Sequence, residues 1–192
     1  MLENQSFVLA LGRLVFRKGF DLANDAFCQA TKADPSVQLV IAGSGPELKR
    51  LESQAAASGC VERIKLLGSV SEDEKRWLLA RSLFLMMPNR PLVDDLEGFG
   101  IVFIEAAWYS KPAIGGNNGG VPDAIAHKET GFCVESPDVA VIADAMRRLL
   151  KDDDLRRRMG RAALDRVKAE FLWSVLGDRF IRTMKTILEQ PS

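Results

Sequence analysis

The sequence predicts a doubly wound α/β fold, a parallel β-sheet with helices on both faces, and three observations carry that expectation. Short apolar runs recur along the first two thirds of the chain, and most close on glycine or proline: "FVLALG", "VQLVIAG", "IKLLG", "LFLMMP". Each has strand length and is apolar almost throughout, the pattern of strands buried on both faces. Segments with helical spacing lie between them, and that alternation is the mark of a parallel sheet with crossover helices.

The elements follow in order. Phe7–Gly12 is the first strand, and after the polar loop "RLVFRKG" a helix from Phe20 to Lys32 is expected from the spacing of Leu22, Ala23, Ala26, Phe27 and Ala30. The second round is Val37–Gly43 and a helix from about Pro46 to Ser58, with proline where its missing N–H is harmless. The third is Ile64–Gly68, then a helix announced by Ser71 and Glu74, which have the spacing of a capping box. Leu83–Pro88 precedes a polar loop and the apolar helix in "EGFGIVFIEAAWYSKP", stopped by Pro112. Pro112–Gly116 is a fifth strand, followed by a short helix near Pro122–Ala126, and "GFCVE" is a candidate sixth. From Asp138 onward the pattern is helical, with Gly177 the expected weak point of the last segment.

Bulk properties narrow the function. At 192 residues, with 47% hydrophobic and 27% charged residues, the chain has the balance of a soluble globular protein and is expected to form one domain over 1–192. Lys+Arg and Asp+Glu are equal at 26 each, so no global field draws in nucleic acid or an anionic membrane. An anion must be held locally. The apolar runs are too short to span a membrane and no leader pattern opens the chain, so the expectation is a cytoplasmic protein. The three cysteines are far apart without metal or redox spacing and are expected as reduced, buried thiols. His127, the single histidine, makes neither a metal site nor a triad and is expected to be a surface or packing residue.

In a doubly wound sheet the loops at the carboxyl ends of the strands share one rim, where ligands bind. That rim holds residues 13–19, 44–45, 69–71, 89–100 and 116–120. "GRLVFRKG" offers a permissive turn at Gly12 and three cations, Arg13, Arg17 and Lys18. A forked guanidinium with a flexible ammonium suits a diphosphate, although a solvated basic loop has the same composition. "GSGPEL" starts like a dinucleotide fingerprint but has Leu48 at its third glycine position, so a tight turn is the simpler account.

"EGFGIVFIEAAW" is the most informative stretch. Two glycines flank Phe99 and permit close backbone approach, and the helix after them points free amides at the same place, an anion site without a metal. Glu97 lies just before those amides, placed to accept from sugar hydroxyls. Glu105 is about two turns in and cannot serve the same atom, and its neighbours Ile104, Ala106, Ala107 and Trp108 imply a largely buried helix. "GGNNGGVPD" is a second glycine-dense rim loop that turn chemistry alone explains. The arginine-dense stretch after Arg147 is interrupted by acids and reads as solvated helix faces laced with charge pairs.

Taken in order, "GRLVFRKG", "IAGSGPEL", "GSVSEDE", "EGFGIVFIEA", "NGGVPD", "TGFCVESPD" and "LRRRMGRAA" resemble the donor-binding, C-terminal half of the retaining, GT-B-fold glycosyltransferases of glycosyl transferase group 1. The match runs from about Leu9 to Trp173. The resemblance implies one Rossmann-like half of a GT-B fold, acting in polysaccharide or related sugar transfer. It puts Arg13 and Lys18 on the diphosphate of a nucleotide sugar, Glu97 near the donor sugar and Glu105 on the ribose. Arg13, Lys18 and Glu97 form the implied catalytic set. Gly12 turns the first loop, the amides of Phe99, Gly100 and Ile101 meet sugar or phosphate, and the loop at Val70 lies by the base. Asp123 stands where the family more usually has glutamate.

The implied donor is a UDP-sugar by family frequency, with guanosine the nearest competitor, and no metal or separate cofactor is implied. Acceptor binding, a catalytic histidine and any membrane association belong to an amino-terminal half absent from this chain. Two rivals stay open: an epimerase acting on nucleotide sugars, and a non-catalytic nucleotide-binding module.

Overall fold

The computed structural model describes residues 5–32, 35–93 and 95–188. Six strands form one sheet: β1 (Ser6–Leu11), β2 (Val37–Ala42), β3 (Ile64–Gly68), β4 (Leu85–Met87), β5 (Ala113–Gly116) and β6 (Gly131–Val134). Eight helices accompany it: α1 (Phe20–Ala30), α2 (Leu48–Ala57), α3 (Glu72–Arg81), α4 (Ile101–Trp108), α5 (Val121–Ala124), α6 (Val139–Lys151), α7 (Asp153–Glu170) and α8 (Trp173–Leu188). The strand order is β3-β2-β1-β4-β5-β6 and every neighbouring pair is parallel. The expected doubly wound sheet is therefore present. Its order reverses between β1 and β4, and at such a switch point the loops leave in opposite directions and open a crevice.

The apolar runs behave as strands buried from both sides: in β1 every residue from Phe7 to Leu11 is buried. α1 packs with α2 and α6 in one layer, and α4 packs with α3 and α7 in the other. The capping box forms as the spacing predicts, with the Glu74 amide donating to Ser71 Oγ at 3.3 Å and the Ser71 amide donating to Glu74 Oε2 at 2.7 Å. Asp138 and Asp152 cap α6 and α7 in the same manner. The charge-laced reading of the later helices also holds, with Arg156–Asp153 at 2.8 Å and Arg166–Glu170 at 3.1 Å.

Several expectations need correction. α2 begins at Leu48, not Pro46, because the Glu47 amide donates to the Leu14 carbonyl at 3.1 Å and so ties that residue to the first rim loop. Gly177 does not break the last segment: α8 runs through it, and the chain turns instead at Phe171 and Leu172. α4 is not largely buried. Phe103, Ala106 and Ala107 face inward while Ile101 is 70% and Trp108 49% exposed, since one side of the helix is left uncovered.

Cys28 and Cys60 are joined as a disulfide with Cα atoms 5.9 Å apart, against the expectation of reduced thiols. α1 and α2 pack together, which brings Cys28 beside the turn before β3, a closeness that a separation of 32 residues does not announce. Cys133 is the free, buried thiol, and burial pushes it up to about 11. His127 is exposed and accepts from the Cys133 amide through Nδ1 at 3.1 Å, a packing role as expected. Among the described residues no helix is long and apolar enough to cross a membrane.

Candidate functional site

The rim is built by glycines that let neighbouring loops touch backbone to backbone. A Cβ on Gly43 would lie 1.9 Å from the Gly12 carbonyl oxygen, one on Gly19 2.3 Å from that of Pro88, and one on Gly116 1.9 Å from that of Asn89. Any side chain there would push the loops apart. Hydrogen bonds continue the sheet into the rim: Gly12 N to Ala42 O at 3.0 Å, Leu14 N to Ser44 O at 2.8 Å and Gly43 N to Gly68 O at 2.7 Å. The loops after β1 and β4 thus face each other across the switch point as one framework.

A buried pair fixes the first of those loops. Arg90, in the loop after β4, donates from Nη1 to Asp21 Oδ1 at 2.8 Å and from Nη2 to Oδ2 at 2.6 Å, a bidentate fork between residues each 8% exposed. The same guanidinium donates to the Phe16 carbonyl at 2.8 Å and lies over the Phe16 ring, 4.1 Å from its centroid. Its own amide donates to the Arg17 carbonyl at 2.8 Å. Burial alone would raise the Asp21 carboxyl, but the hydrogen bond and charge of Arg90, helped by Arg50 and the Leu22 amide, hold it below the usual carboxylate value. The 3-10 turn Phe16–Lys18 is therefore gripped from below, and its side chains are aimed across the crevice.

Their target is Glu97. Lys18 Nζ lies 2.8 Å from Glu97 Oε2, and Arg17 Nη1 donates to that same oxygen. Arg17 Nε also pairs with Asp95 at 2.8 Å. Glu97 Oε1 has no partner among the described residues. This answers how a carboxylate only 7% exposed is tolerated among apolar neighbours: two cations neutralise it.

Beyond Glu97 the chain turns left-handed at Gly100, φ 72°, and enters α4 with no side chain capping the helix. The first amides of α4, those of Ile101 and Val102, are consequently left for a ligand or water. A Cβ at Gly100 would approach Phe103 Cδ2 at 2.6 Å and Glu97 Cγ at 3.8 Å, so this turn is packed against both. Phe99 turns its ring onto Phe171, with centroids 5.5 Å apart. The loop before α5 closes the site: the Gly120 amide donates to the Glu97 carbonyl at 3.0 Å, Asn89 Nδ2 donates to Asn118 Oδ1 at 2.8 Å, and Asn118 Nδ2 donates to the Asn89 backbone carbonyl at 2.8 Å.

Glu105 occupies another environment. It accepts from Lys75 Nζ at 2.9 Å, Lys75 also pairs with Glu72 at 2.9 Å, and the glutamate side chain is 34% exposed. Hydrogen bonds that Lys75 donates to Glu105 and Glu72 hold its ammonium above its ordinary value against the smaller opposing effect of burial. The pair lines a hollow of about 360 Å³ with Trp108, Tyr109 and Phe171. Val70 borders a separate, larger hollow of about 850 Å³ with Leu67, Ser69, Trp77 and Gln38.

Of the residues singled out from the sequence, the structure joins Gly12, Lys18, Glu97 and Gly100 into one cluster. The Lys18 stem passes within 4.0 Å of where a Gly12 Cβ would sit. Phe99 and Ile101 flank Gly100 in the chain, while Arg13 is exposed and has no partner among the described residues. Val70 and Glu105 lie in the two hollows on the β3 and α3 side. Sequence reasoning missed the clamp residues Asp21 and Arg90 and the part played by Arg17. A cation three residues past the end of a strand, as in "MMPNR", is the signal that could have marked Arg90 as a rim residue.

Comparison with known proteins bears on this site. The family model of glycosyl transferases group 1 matches residues 2–166. The chain is 37% identical over 171 residues to a GDP-mannose-dependent alpha-(1-6)-phosphatidylinositol monomannoside mannosyltransferase of Mycobacterium tuberculosis, covering 88% of this chain but 44% of that protein. The chain thus spans less than half the length of that curated relative. Among solved structures, Anabaena HepE in complex with UDP and glucose superposes with a TM-score of 0.84 at 22% identity, covering 96% of this chain and 49% of the other. The C-terminal domain of a glycosyl transferase group 1 family protein from Francisella tularensis gives 0.77 at 23% identity, covering 88% and 87%. The fold is that of one half of a GT-B enzyme.

Proposed function

The chain belongs to the glycosyl transferases group 1 family, and from that premise we propose that it is the donor-binding half of a retaining glycosyltransferase, which moves a sugar from a nucleoside diphosphate to an acceptor hydroxyl without a metal. The observation that carries this reading is the contiguous cluster of Gly12, Lys18, Glu97 and Gly100 at the switch point, beside the uncapped start of α4. Negative charge gathers on the departing diphosphate as the sugar leaves. Lys18, Arg13 and the free amides of Ile101 and Val102 supply fixed positive potential to receive it. Glu97 already holds two cations on Oε2, which suits Oε1 to accept from a sugar hydroxyl and suits the residue poorly to act as a nucleophile. Acceptor binding belongs to the other half of the whole protein.

The base is the finer question. Family frequency favours uridine, but the relative that is 37% identical is named for GDP-mannose, whereas the uridine-bound neighbour is 22% identical and speaks for the fold alone. Guanosine-linked mannose is therefore the donor to test first. In titration calorimetry, Lys18→Met and Arg13→Met should each weaken binding of GDP by about 1.5 to 3 kcal/mol, the usual worth of a charged hydrogen bond. Unchanged affinity in both variants would remove the phosphate assignment, and tighter binding of UDP than GDP to the wild type would reverse the choice of base.

A further inference from the structure

Lys18, the cation assigned to the diphosphate, is engaged by Glu97 at 2.8 Å, and its side chain is 14% exposed. A phosphate oxygen and a carboxylate oxygen are the same kind of partner for an ammonium, so both compete for one donor. Arg17 differs from Lys18 in lying beside two acids, Glu97, to which Nη1 donates, and Asp95, 2.8 Å from Nε without hydrogen-bond alignment, and stays as the anchor of the carboxylate. We infer that Glu97 is the internal counter-anion of the diphosphate site, which an incoming nucleoside diphosphate displaces from Lys18 while Arg17 retains it.

Three consequences follow from this exchange, which rests on the reading of the rim as a nucleoside-diphosphate site. While Lys18 and Arg17 pair with it, the buried Glu97 carboxylate is compensated. Donor docking frees part of the Glu97 carboxylate at the moment a sugar hydroxyl needs an acceptor. Once the sugar has gone, Glu97 reclaims Lys18 and favours release of the diphosphate. Removing the carboxylate charge at Glu97 should thus tighten the product, the opposite of what a residue that merely helps to bind it would do.

The test is calorimetric titration of the 192-residue chain with GDP, UDP and inorganic pyrophosphate, in the wild type, Glu97→Gln, Lys18→Met and the double variant. Glu97→Gln should bind pyrophosphate and the preferred nucleoside diphosphate about ten-fold tighter, the worth of about one charged hydrogen bond, and the gain should vanish in the double variant. Unchanged or weaker binding by Glu97→Gln, with dependence on Lys18 intact, would overturn the counter-anion and leave the donor site standing. No dependence on Lys18 in any arm would remove the donor site and the inference with it. A measurement free of any variant guards against misfolding: the carbon-13 carboxyl resonance of wild-type Glu97 should move when pyrophosphate is added, and a fixed resonance refutes the exchange.

Discussion

Glu97 and Glu105 belong to one stretch of sequence, yet their carboxylates live in different settings. Glu97 is clasped on one oxygen by Arg17 and Lys18 within a side-chain exposure of 9%. Glu105 shares Lys75 with Glu72 at 34% exposure. The first sits where the loops after β1 and β4 are locked together by Arg90 and Asp21, and the second lies on the partly uncovered side of α4. One end of the rim is tied by buried ion pairs and the other is partly open to solvent. That contrast fits the donor site proposed above, with the diphosphate at the tied end and the nucleoside at the open one.

The largest effect should come from breaking the lock. Arg90→Met leaves the buried Asp21 carboxylate with only its partly exposed partner Arg50 and releases the Phe16 carbonyl. Loss of one member of a buried pair costs about 3 to 5 kcal/mol, measurable by urea unfolding. Binding of pyrophosphate should fall with it. A loss below about 1 kcal/mol would mean the glycine contacts alone hold the loop.

Acid should reveal the same lock without a mutation. Because Asp21 is held below its ordinary carboxylate value, its stabilisation is fully present above the unfolded-state pKa, about 3.9, and is lost as pH falls through the lower folded value. The wild type should lose stability over that acid range more steeply than Asp21→Asn, which starts lower and lacks this titration. Parallel curves would show that the carboxylate contributes nothing through its charge.

A smaller effect is expected from the loop that roofs Glu97. A Cβ on Gly119 would meet the Glu97 carbonyl oxygen at 2.1 Å, and the residue has φ 55°. Gly119→Ala should cost about 1 to 3 kcal/mol through this backbone clash and strain, and should weaken pyrophosphate binding by moving Glu97. Unaltered binding in the folded variant would separate the roof from the site.

These effects also mark what the sequence could and could not disclose. The succession of strands and helices and the position of the rim were legible because apolar runs, glycine stops and a capping box are local signals, and the rim follows from them by topology, whereas the order of strands within the sheet was not read. Lys18 and Glu97 were legible as members of short motifs. Their contact was not, because it joins residues 79 apart through the fold, and neither was the Arg90–Asp21 clamp across 69. The disulfide between Cys28 and Cys60 escaped for the same reason. The overestimate of burial along α4 had another source: apolar composition reveals a preference for burial, but only the neighbouring elements decide which faces are covered, and Ile101 and Trp108 are left partly uncovered.

The smallest stability effect should fall at Glu105, and it is the one that tests the open end. Glu105→Gln keeps an acceptor for Lys75, which retains Glu72 at 2.9 Å, so the change in unfolding free energy should stay within about 0.5 kcal/mol. If the carboxylate contacts ribose, the variant should bind GDP and UDP several-fold more weakly while binding inorganic pyrophosphate as the wild type does. Equal losses for the nucleotides and for pyrophosphate would mean that Glu105 acts only by placing α3 against α4. In that case the two glutamates would differ in kind, with Glu97 addressing a ligand and Glu105 the fold.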